Sequence, residues 1–358
     1  MTESLLKEYL DEAQLEQWHQ LVDPAAHIVL TGHAGPDGDA LGAALAMYHY
    51  LKMLGKDVRV VMPNLYPDFL AWLPEANRII LAHARPDEAQ ALMQEADLVF
   101  CLDYNAPNRL EEAAPLLLQS PARRIMIDHH LKPERFCQLA ISDARASSTC
   151  EIVFSLLWQL GAFSQLGREA ATCLYCGMMT DTGAFTYNSS NPALYFMIAQ
   201  LLLKGVDKDR IYRRVYHNYS EKRMRLMGYL LYEKMEYLGH RRAAIITLTR
   251  DEMTRFAFRK GDAEGFVNLP LEIKGTRLSV SLREDTEKAL IRVSLRSTDT
   301  FPCNRMAEKY FNGGGHLNAS GGSLQMSMEE AVKLTRRAID DFAEMLLGHP
   351  VAPVQHNE

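Results

Sequence analysis

Residues able to hold a hard cation recur at widely separated points of this sequence. His33, Asp37 and Asp39 crowd a Gly/Pro turn in Gly32-His33-Ala34-Gly35-Pro36-Asp37-Gly38-Asp39-Ala40. Asp103 closes Cys101-Leu102-Asp103, Asp128-His129-His130 closes the apolar run Arg124-Ile125-Met126-Ile127, and Asp181 lies in Met179-Thr180-Asp181-Thr182-Gly183. Carboxylate oxygens mixed with imidazole nitrogens suit Mg²⁺ or Mn²⁺, and the histidine content tilts the choice toward Mn²⁺; no thiolate that would favour zinc belongs to the set. Carboxylates gathered without a cation would repel and raise one another's pKa values. Two divalent cations, roughly 3.5–4 Å apart, resolve that conflict: they share a water, acidify it, and clamp a phosphoryl group for in-line attack. Phosphate-ester hydrolysis is the chemistry such a set implies.

The surrounding pattern supplies elements to position these groups. Apolar runs at His27–His33, Asp57–Met62, Arg78–Leu81, Leu98–Asp103 and Arg124–Asp128 alternate with helical periods at Asp39–Leu54, Pro86–Glu95 and Asn108–Gln119. This predicts an α/β fold, a mostly parallel sheet with helices on both faces. Ligands of open parallel sheets bind at the carboxyl ends of strands, where His33, Asp103 and Asp128 to His130 fall. The pattern is helical over 147–203, broken near 180–191, and again over 206–238, which reads as one long connector. After Gly239 come strands at Arg242–Thr249, Thr276–Arg283 and Leu290–Arg296 with helices at Asn304–Phe311 and Met328–Leu347, a smaller α+β domain. The expected division is 1–205, connector 206–238, second domain 239–348, and a tail 349–358 that frays.

Composition narrows the partners. The chain has 358 residues, 47% hydrophobic and 23% charged, with 39 Lys+Arg against 45 Asp+Glu and a formal net charge of −6. Such a balance gives no global basic field to hold long DNA or an anionic membrane, so a nucleic-acid substrate should be short. The first residues, MTESLLKEYLDEAQLEQW, read as an acidic amphipathic helix and not as a secretory signal, and no apolar run reaches the length of a membrane span. Six scattered cysteines fit a reducing compartment, and the expected location is the cytoplasm.

A second candidate site lies in the C-terminal part. Gly313, Gly314 and Gly315 have no Cβ to block an anion from their backbone N–H groups, and His316 adds a directional donor. Arg283 and Arg296 on nearby strands offer guanidinium forks that match phosphate. Ser297, Asn304 and Asn318 join them as candidates for touching a terminal phosphate or base. Other conspicuous features have plainer explanations. Cys173 and Cys176 lie in a helical apolar run and read as core, as do Met224, Met227 and Met235 at helical spacing. Arg213-Arg214 and Arg241-Arg242 read as solvated faces. Taken singly, Asp103 could be a helix cap or turn residue, and Asp37 and Asp39 an Asx turn and an N-cap; four such elements in order are hard to explain as caps.

The blocks HAGPDGDALGA, CLDY, IDHH and MTDTGAF, in that order, resemble the signatures of the DHH phosphoesterases, and Arg292–Ser297 with Phe311–Gly322 resembles their substrate-binding module, DHHA1. The resemblance runs from Ala26 to Leu347 and is nearest to the nanoRNase/pAp-phosphatase branch. It implies one cation on His33, Asp37 and Asp103 and a second on Asp39, Asp103, His129 and Asp181, with Asp103 and a nucleophilic water shared between them. It further implies that His130 touches the substrate phosphate and that Asp128 orients a histidine. Short RNA, linear dinucleotides of the pApA kind and 3′-phosphoadenosine 5′-phosphate are the expected substrates, and a homodimer accords with relatives. The alternatives are a cyclic-dinucleotide phosphodiesterase and a catalytically silent nucleotide sensor. With cations on one domain and a phosphate clamp on the other, substrate length would be measured between them.

Overall fold

The computed structural model describes residues 5–217, 219–259 and 261–348. The chain divides into two compact units, residues 1–218 and 219–358. In the first, strands β1 (His27–Thr31), β2 (Asp57–Met62), β3 (Ile80–Leu81), β4 (Leu98–Leu102), β5 (Arg123–Asp128) and β6 (Leu139–Ser142) form one sheet in the order β3-β2-β1-β4-β5-β6. Every neighbouring pair is parallel. The strand order reverses between β1 and β4, so the crevice of an open α/β sheet opens at their carboxyl ends. His33 and Asp103 lie just past those ends.

Strand alternation serves two cores. Ile28 and Leu30 of β1, with Leu98, Phe100 and Leu102 of β4, join the cluster that holds the helices Gly38–Met53, Thr149–Gln159 and Arg168–Asp181. Val29, Val99 and Cys101 face the other way, toward Ala89 and Met93 of the helix Pro86–Glu95. Burial on both faces is why these strands read as unbroken apolar runs.

Two helices of the first face cross unusually closely because glycine lines the crossing. A Cβ on Gly42 would stand 2.6 Å from the Cys173 carbonyl oxygen, one on Gly38 would overlap Thr180, and one on Gly177 would overlap the Cys150 sulfur and stand 3.0 Å from Asp39 Oδ1. This approach brings Asp39, near the start of one helix, toward Asp181 at the end of the other.

In the second unit, β7 (Met235–Leu238), β8 (Ala243–Leu248), β9 (Leu278–Glu284), β10 (Ile291–Ser297), β11 (Gly314–Gly315) and β12 (Ala319–Leu324) form a mixed sheet in the order β11-β12-β10-β9-β8-β7. Only β8 and β9 pair in parallel. One face packs on the helices Cys303–Tyr310 and Met328–Asp341 through Val280, Val293, Leu295, Met306 and Ile339. The opposite face of β9 and β10 carries Ser279, Ser281, Arg283, Arg292, Ser294 and Arg296 in cross-strand register.

Several expectations need correction. The connector 206–238 is not one helix: Lys208–Tyr216 belongs to the first unit, Glu221–Tyr229 and a π turn at Leu230–Lys234 follow, and Met235–Leu238 is β7, paired antiparallel to β8. Helical spacing of apolar residues there hid a strand only four residues long. The first helix runs from Glu12 to Val22 behind an Asp11 capping box. The last helical stretch is divided at Phe342. Strand β6 is too short to have been read. The tail 349–358 lies outside the described residues.

Two outcomes follow. Gly177→Ala should cost on the order of 1–3 kcal/mol through overpacking and weaken divalent-cation uptake by displacing Asp39. Gly228→Ala, on a helix where a Cβ meets nothing, should be neutral or stabilising. Calorimetric unfolding and cation titration of both variants check this, and equal behaviour would remove the close crossing from the account. Acid stability gives the second. Burial would raise the Asp285 carboxyl, but Arg292 Nε at 2.7 Å and the backbone N–H groups of Lys288 and Glu287 hold it at about 2. A folded-state value below the unfolded one, near 4, stabilises above that pH and is lost as pH falls from about 4 to about 2. The stability deficit of Asp285→Asn, measured by denaturant unfolding, should be full at pH 6 and shrink steadily over that interval.

Candidate active site

Each group of the cluster is fixed by its local backbone. His33 Nδ1 lies 3.0 Å from the Ala34 carbonyl, which makes Nδ1 the donor and turns Nε2 to Asp103 Oδ2 at 3.4 Å and Asp37 Oδ1 at 3.8 Å. Asp37 caps the helix Gly38–Met53, its Oδ1 accepting from the N–H groups of Asp39 and Ala40. Asp39, 1% exposed, accepts from the backbone N–H groups of Thr149 at 2.6 Å and Cys150 at 2.9 Å, the first turn of another helix. That helix end favours an anion.

Asp103 sits at the centre. Its φ of 63° is in the left-handed region, one that aspartate tolerates better than most residues, and its N–H bonds the Ile127 carbonyl at 3.0 Å. Its Oδ1 accepts from the Thr149 hydroxyl at 2.8 Å, with His129 Nε2 at 3.5 Å. His129 Nε2 also approaches Asp181 Oδ2 at 3.3 Å and Asp39 Oδ2 at 3.9 Å, while its Nδ1 faces the Ala146 carbonyl at 3.3 Å. Fully buried Asp128 grips the neighbouring ring twice: Oδ1 takes the His130 Nδ1 proton at 2.7 Å and Oδ2 the His130 backbone N–H at 2.9 Å. His130 Nε2 then faces Arg109 Nη2 at 3.5 Å.

Among the described residues of this cluster three donor triads emerge, His33–Asp37–Asp103, Asp39–His129–Asp181 and Asp103–Asp128–His130, each with its ligand atoms within 4.8 Å of one another. The first two hold the residues that the family resemblance assigns to two cations, and Asp103 lies near a histidine of each, His33 at 3.4 Å and His129 at 3.5 Å. The electrostatics show why the set suits a divalent cation. Burial, then repulsion from Asp103 and Asp181, pushes Asp39 well above the ordinary carboxylate range. Burial likewise pushes Asp181 up to about 7, against the pull of His129. Burial would lower His129, but Asp181, Asp103 and Asp39 raise it to about 9. Protons thus do the work of counter-charge, which oxygen and nitrogen ligands yield to a divalent cation.

Sequence reasoning missed Thr149 and Arg109. Thr149 carries only the signal of a Ser148-capped helix start, Ser148 Oγ accepting from Glu151 N. Arg109 is a lone cation in the loop after Asp103, tied to the His33 turn by Ala34 N–H donating to its carbonyl at 2.8 Å; a cation beside a strand-end carboxylate was available to notice.

The second unit holds the other candidates. Arg283 and Arg296 lie on the polar face of β9 and β10, and Arg283 is stacked 5.6 Å from the Phe258 ring centre. Ser297 instead faces the core: it is 5% exposed and its hydroxyl donates to the Phe301 carbonyl at 2.8 Å. Asn318 Nδ2 donates to Ser297 Oγ at 2.9 Å and to the Asp299 and Phe301 carbonyls, a tie for the loop 297–301. Asn304 keeps a buried Oδ1 with no partner among the described residues. The glycines divide. A Cβ on Gly313 would strike the Gly321 backbone and one on Gly315, at φ +141°, would stand 2.6 Å from the Ala319 carbonyl, so both serve the approach of two strands. Gly314 alone faces open space, its nearest neighbour Glu308 at 4.0 Å. His316 continues that turn, its N–H on the Ala319 carbonyl at 2.8 Å.

The model of the DHH family N-terminal domain matches residues 27–178, and that of the DHHA1 domain matches 239–345. A bifunctional oligoribonuclease and PAP phosphatase of Thermus thermophilus is 30% identical over 313 residues, 87% of this chain and 89% of that protein. The cyclic-di-AMP phosphodiesterase PdeA of Listeria monocytogenes is 26% identical over 90% of this chain, which spans 49% of that protein. The crystal structure of an exopolyphosphatase-related protein from Bacteroides fragilis is 48% identical with a TM-score of 0.91, covering 96% of this chain and 100% of that one. The chain therefore belongs to the DHH family, with a DHHA1 domain as its second module, and is a metal-dependent phosphoesterase.

Proposed function

We propose that this phosphoesterase is Mn²⁺-dependent and hydrolyses short oligoribonucleotides, linear dinucleotides and 3′-phosphoadenosine 5′-phosphate to nucleoside monophosphates or their nucleotide products. The observation that carries the reading is the pair of acid–imidazole triads joined at Asp103. The mixed oxygen and nitrogen donors support Mn²⁺ over Mg²⁺. For the substrate, support comes from the oligoribonuclease relative, matched over 89% of its length, where the cyclic-di-AMP relative is matched over 49%.

His33, Asp37 and Asp103 would hold one cation, and Asp39, Asp103, His129 and Asp181 the other. Bound there, the cations acidify water and polarise a phosphoryl oxygen. The remaining residues work around them. The Thr149 hydroxyl fixes the Asp103 carboxylate so that its two oxygens face different imidazoles. Asp128, holding Nδ1–H, sets the tautomer and orientation of His130, so Nε2 is presented to the site. Arg109 offers N–H donors to the non-bridging oxygens where charge develops, and His130, with Nδ1–H held by Asp128, donates from Nε2 only as the imidazolium. In the second unit Arg283, Arg296, His316 and Gly314 are the groups left to engage nucleotide, while Ser297, Asn318, Gly313 and Gly315 hold the framework that presents them.

Asp103→Ala should abolish hydrolysis of every substrate and halve or worse the Mn²⁺ bound per chain, read by turnover and metal analysis; appreciable residual turnover would refute the shared role. His130→Ala should cut kcat on the order of 10²–10³-fold with metal content retained, and loss of metal along with rate would mean the two adjacent histidines have exchanged tasks. Arg296→Ala or His316→Ala should raise KM for nucleotides while sparing a small generic phosphodiester. Equal damage to both substrates would contradict the division into clamp and catalyst.

A further inference from the structure

The helix Lys208–Tyr216 and the residue after it carry a basic stripe that the catalytic cluster leaves unused. Ile211 and Val215 are buried against the core, and Arg210, Arg213, Arg214 and His217 recur at i, i+3, i+4 and i+7, on one face. With Asp68 and Trp72 they line a cavity of about 580 Å³. The arginine pair read from sequence as a solvated surface is therefore half of a concave site. Three features set it apart from an ordinary charged helix. None of the three arginines stands within ion-pair distance of a carboxylate among the described residues, although Asp209 attracts Arg213 from four residues earlier, and like charges at i, i+4, as at Arg210 and Arg214, disfavour the helix. Arg214 is half-buried with its guanidinium carbon 4.8 Å from the Trp72 ring centre, so its charge is partly desolvated. The indole N–H of Trp72 is buried with no acceptor among the described residues. Basic residues near a helix C-terminus complement its dipole, which accounts for Arg213 and Arg214. It does not account for Arg210, two residues after the Lys208 start, or for burying Arg214 against an aromatic ring.

The cavity also lies on elements tied to the catalytic cluster. Asp68 and Trp72 belong to the segment after β2, which reaches the His33 turn where Asn64 Oδ1 accepts the Gly35 N–H at 2.6 Å. The basic helix reaches the Asp181 helix where the Tyr216 hydroxyl donates to the Met179 carbonyl at 3.4 Å.

We propose that this groove is a second anion site, binding a phosphate group of a nucleotide through Arg210 and Arg213 with Arg214 and Trp72 as its floor. Guanidinium forks match phosphate oxygens, and the one carboxylate present, Asp68, leaves a net positive lining. The choice of a nucleotide rests on the phosphoester reading above; the site itself rests on the cavity.

Tryptophan fluorescence tests it without catalysis, because Trp18, Trp72 and Trp158 are the chain's 3 tryptophans and all lie in the first unit. Metal-free protein in chelator is titrated with inorganic phosphate, AMP and adenosine. Phosphate and AMP should change the signal, adenosine should not, and Trp72→Phe should remove the response. In the doubly substituted Arg210→Ala, Arg213→Ala protein the affinity should fall at least tenfold, with circular dichroism unchanged since both side chains are exposed. An absent response, or one that survives the double substitution, overturns the site and leaves the phosphoesterase reading standing; failed hydrolysis with intact binding does the reverse. Active enzyme then separates two sources of the phosphate. If it belongs to the far end of the substrate, the double substitution raises KM more for a pentanucleotide than for a dinucleotide. If it belongs to a separate nucleotide, AMP changes the rate of dinucleotide hydrolysis in the wild type and not in the variant.

Discussion

Buried negative charge is the constraint around which the first unit is organised. Asp39, Asp103 and Asp128 are at most 2% exposed, and Asp37 and Asp181 complete the ring around them. Two like charges ~4 Å apart cost on the order of 4 kcal/mol at the effective dielectric of a protein site. A fold that burns this much electrostatic energy in one crevice must supply counter-charge there. Without a cation it does so with protons, on Asp39, Asp181, His33 and His129. Oxygen and nitrogen donors that must hold protons to relieve one another yield them readily to a divalent cation.

The scaffold meets that demand by topology and by close packing. The reversal of strand order between β1 and β4 opens the crevice at the carboxyl ends where His33 and Asp103 stand. Backbone N–H groups at the start of the helix Thr149–Gln159 neutralise part of Asp39. Glycines at the neighbouring crossing let Asp181 approach from a helix far along the chain. Orientation comes from neighbours that each hold one ring nitrogen: the Ala34 carbonyl for His33, the Ala146 carbonyl for His129, and the Asp128 carboxylate for His130. Phosphoester hydrolysis needs this kind of rigid, pre-aimed polarity.

Much of this was legible in the sequence, for identifiable reasons. Strands buried on both faces announce themselves as apolar runs, and while one carboxylate or imidazole ending such a run reads as a cap, four such elements in order do not. His33, Asp37, Asp39, Asp103, His129 and Asp181 were singled out from their place at strand and helix ends, their division into two sets came from the family resemblance, and the structure places them within a few ångströms of one another. What stayed hidden depends on tertiary contact. Thr149 looks like any first-turn residue until its hydroxyl is seen on Asp103. Gly313 and Gly315 looked like an anion cradle, yet their missing Cβ atoms make room for a neighbouring strand. Ser297 sat beside a promising arginine, but alternation along β10 turns it to the core. Strand β7 was lost because four residues at the end of a helical pattern carry too little periodicity to declare themselves.

The central claim, that these side chains form one binuclear centre hinged on Asp103, is most directly tested by electron paramagnetic resonance of the metal-free protein titrated with Mn²⁺. The account predicts uptake of two ions per chain, with the six-line spectrum of isolated Mn²⁺ replaced by the broad signal of an exchange-coupled pair. Saturation at one ion, or two ions whose spectra stay magnetically independent, would contradict it.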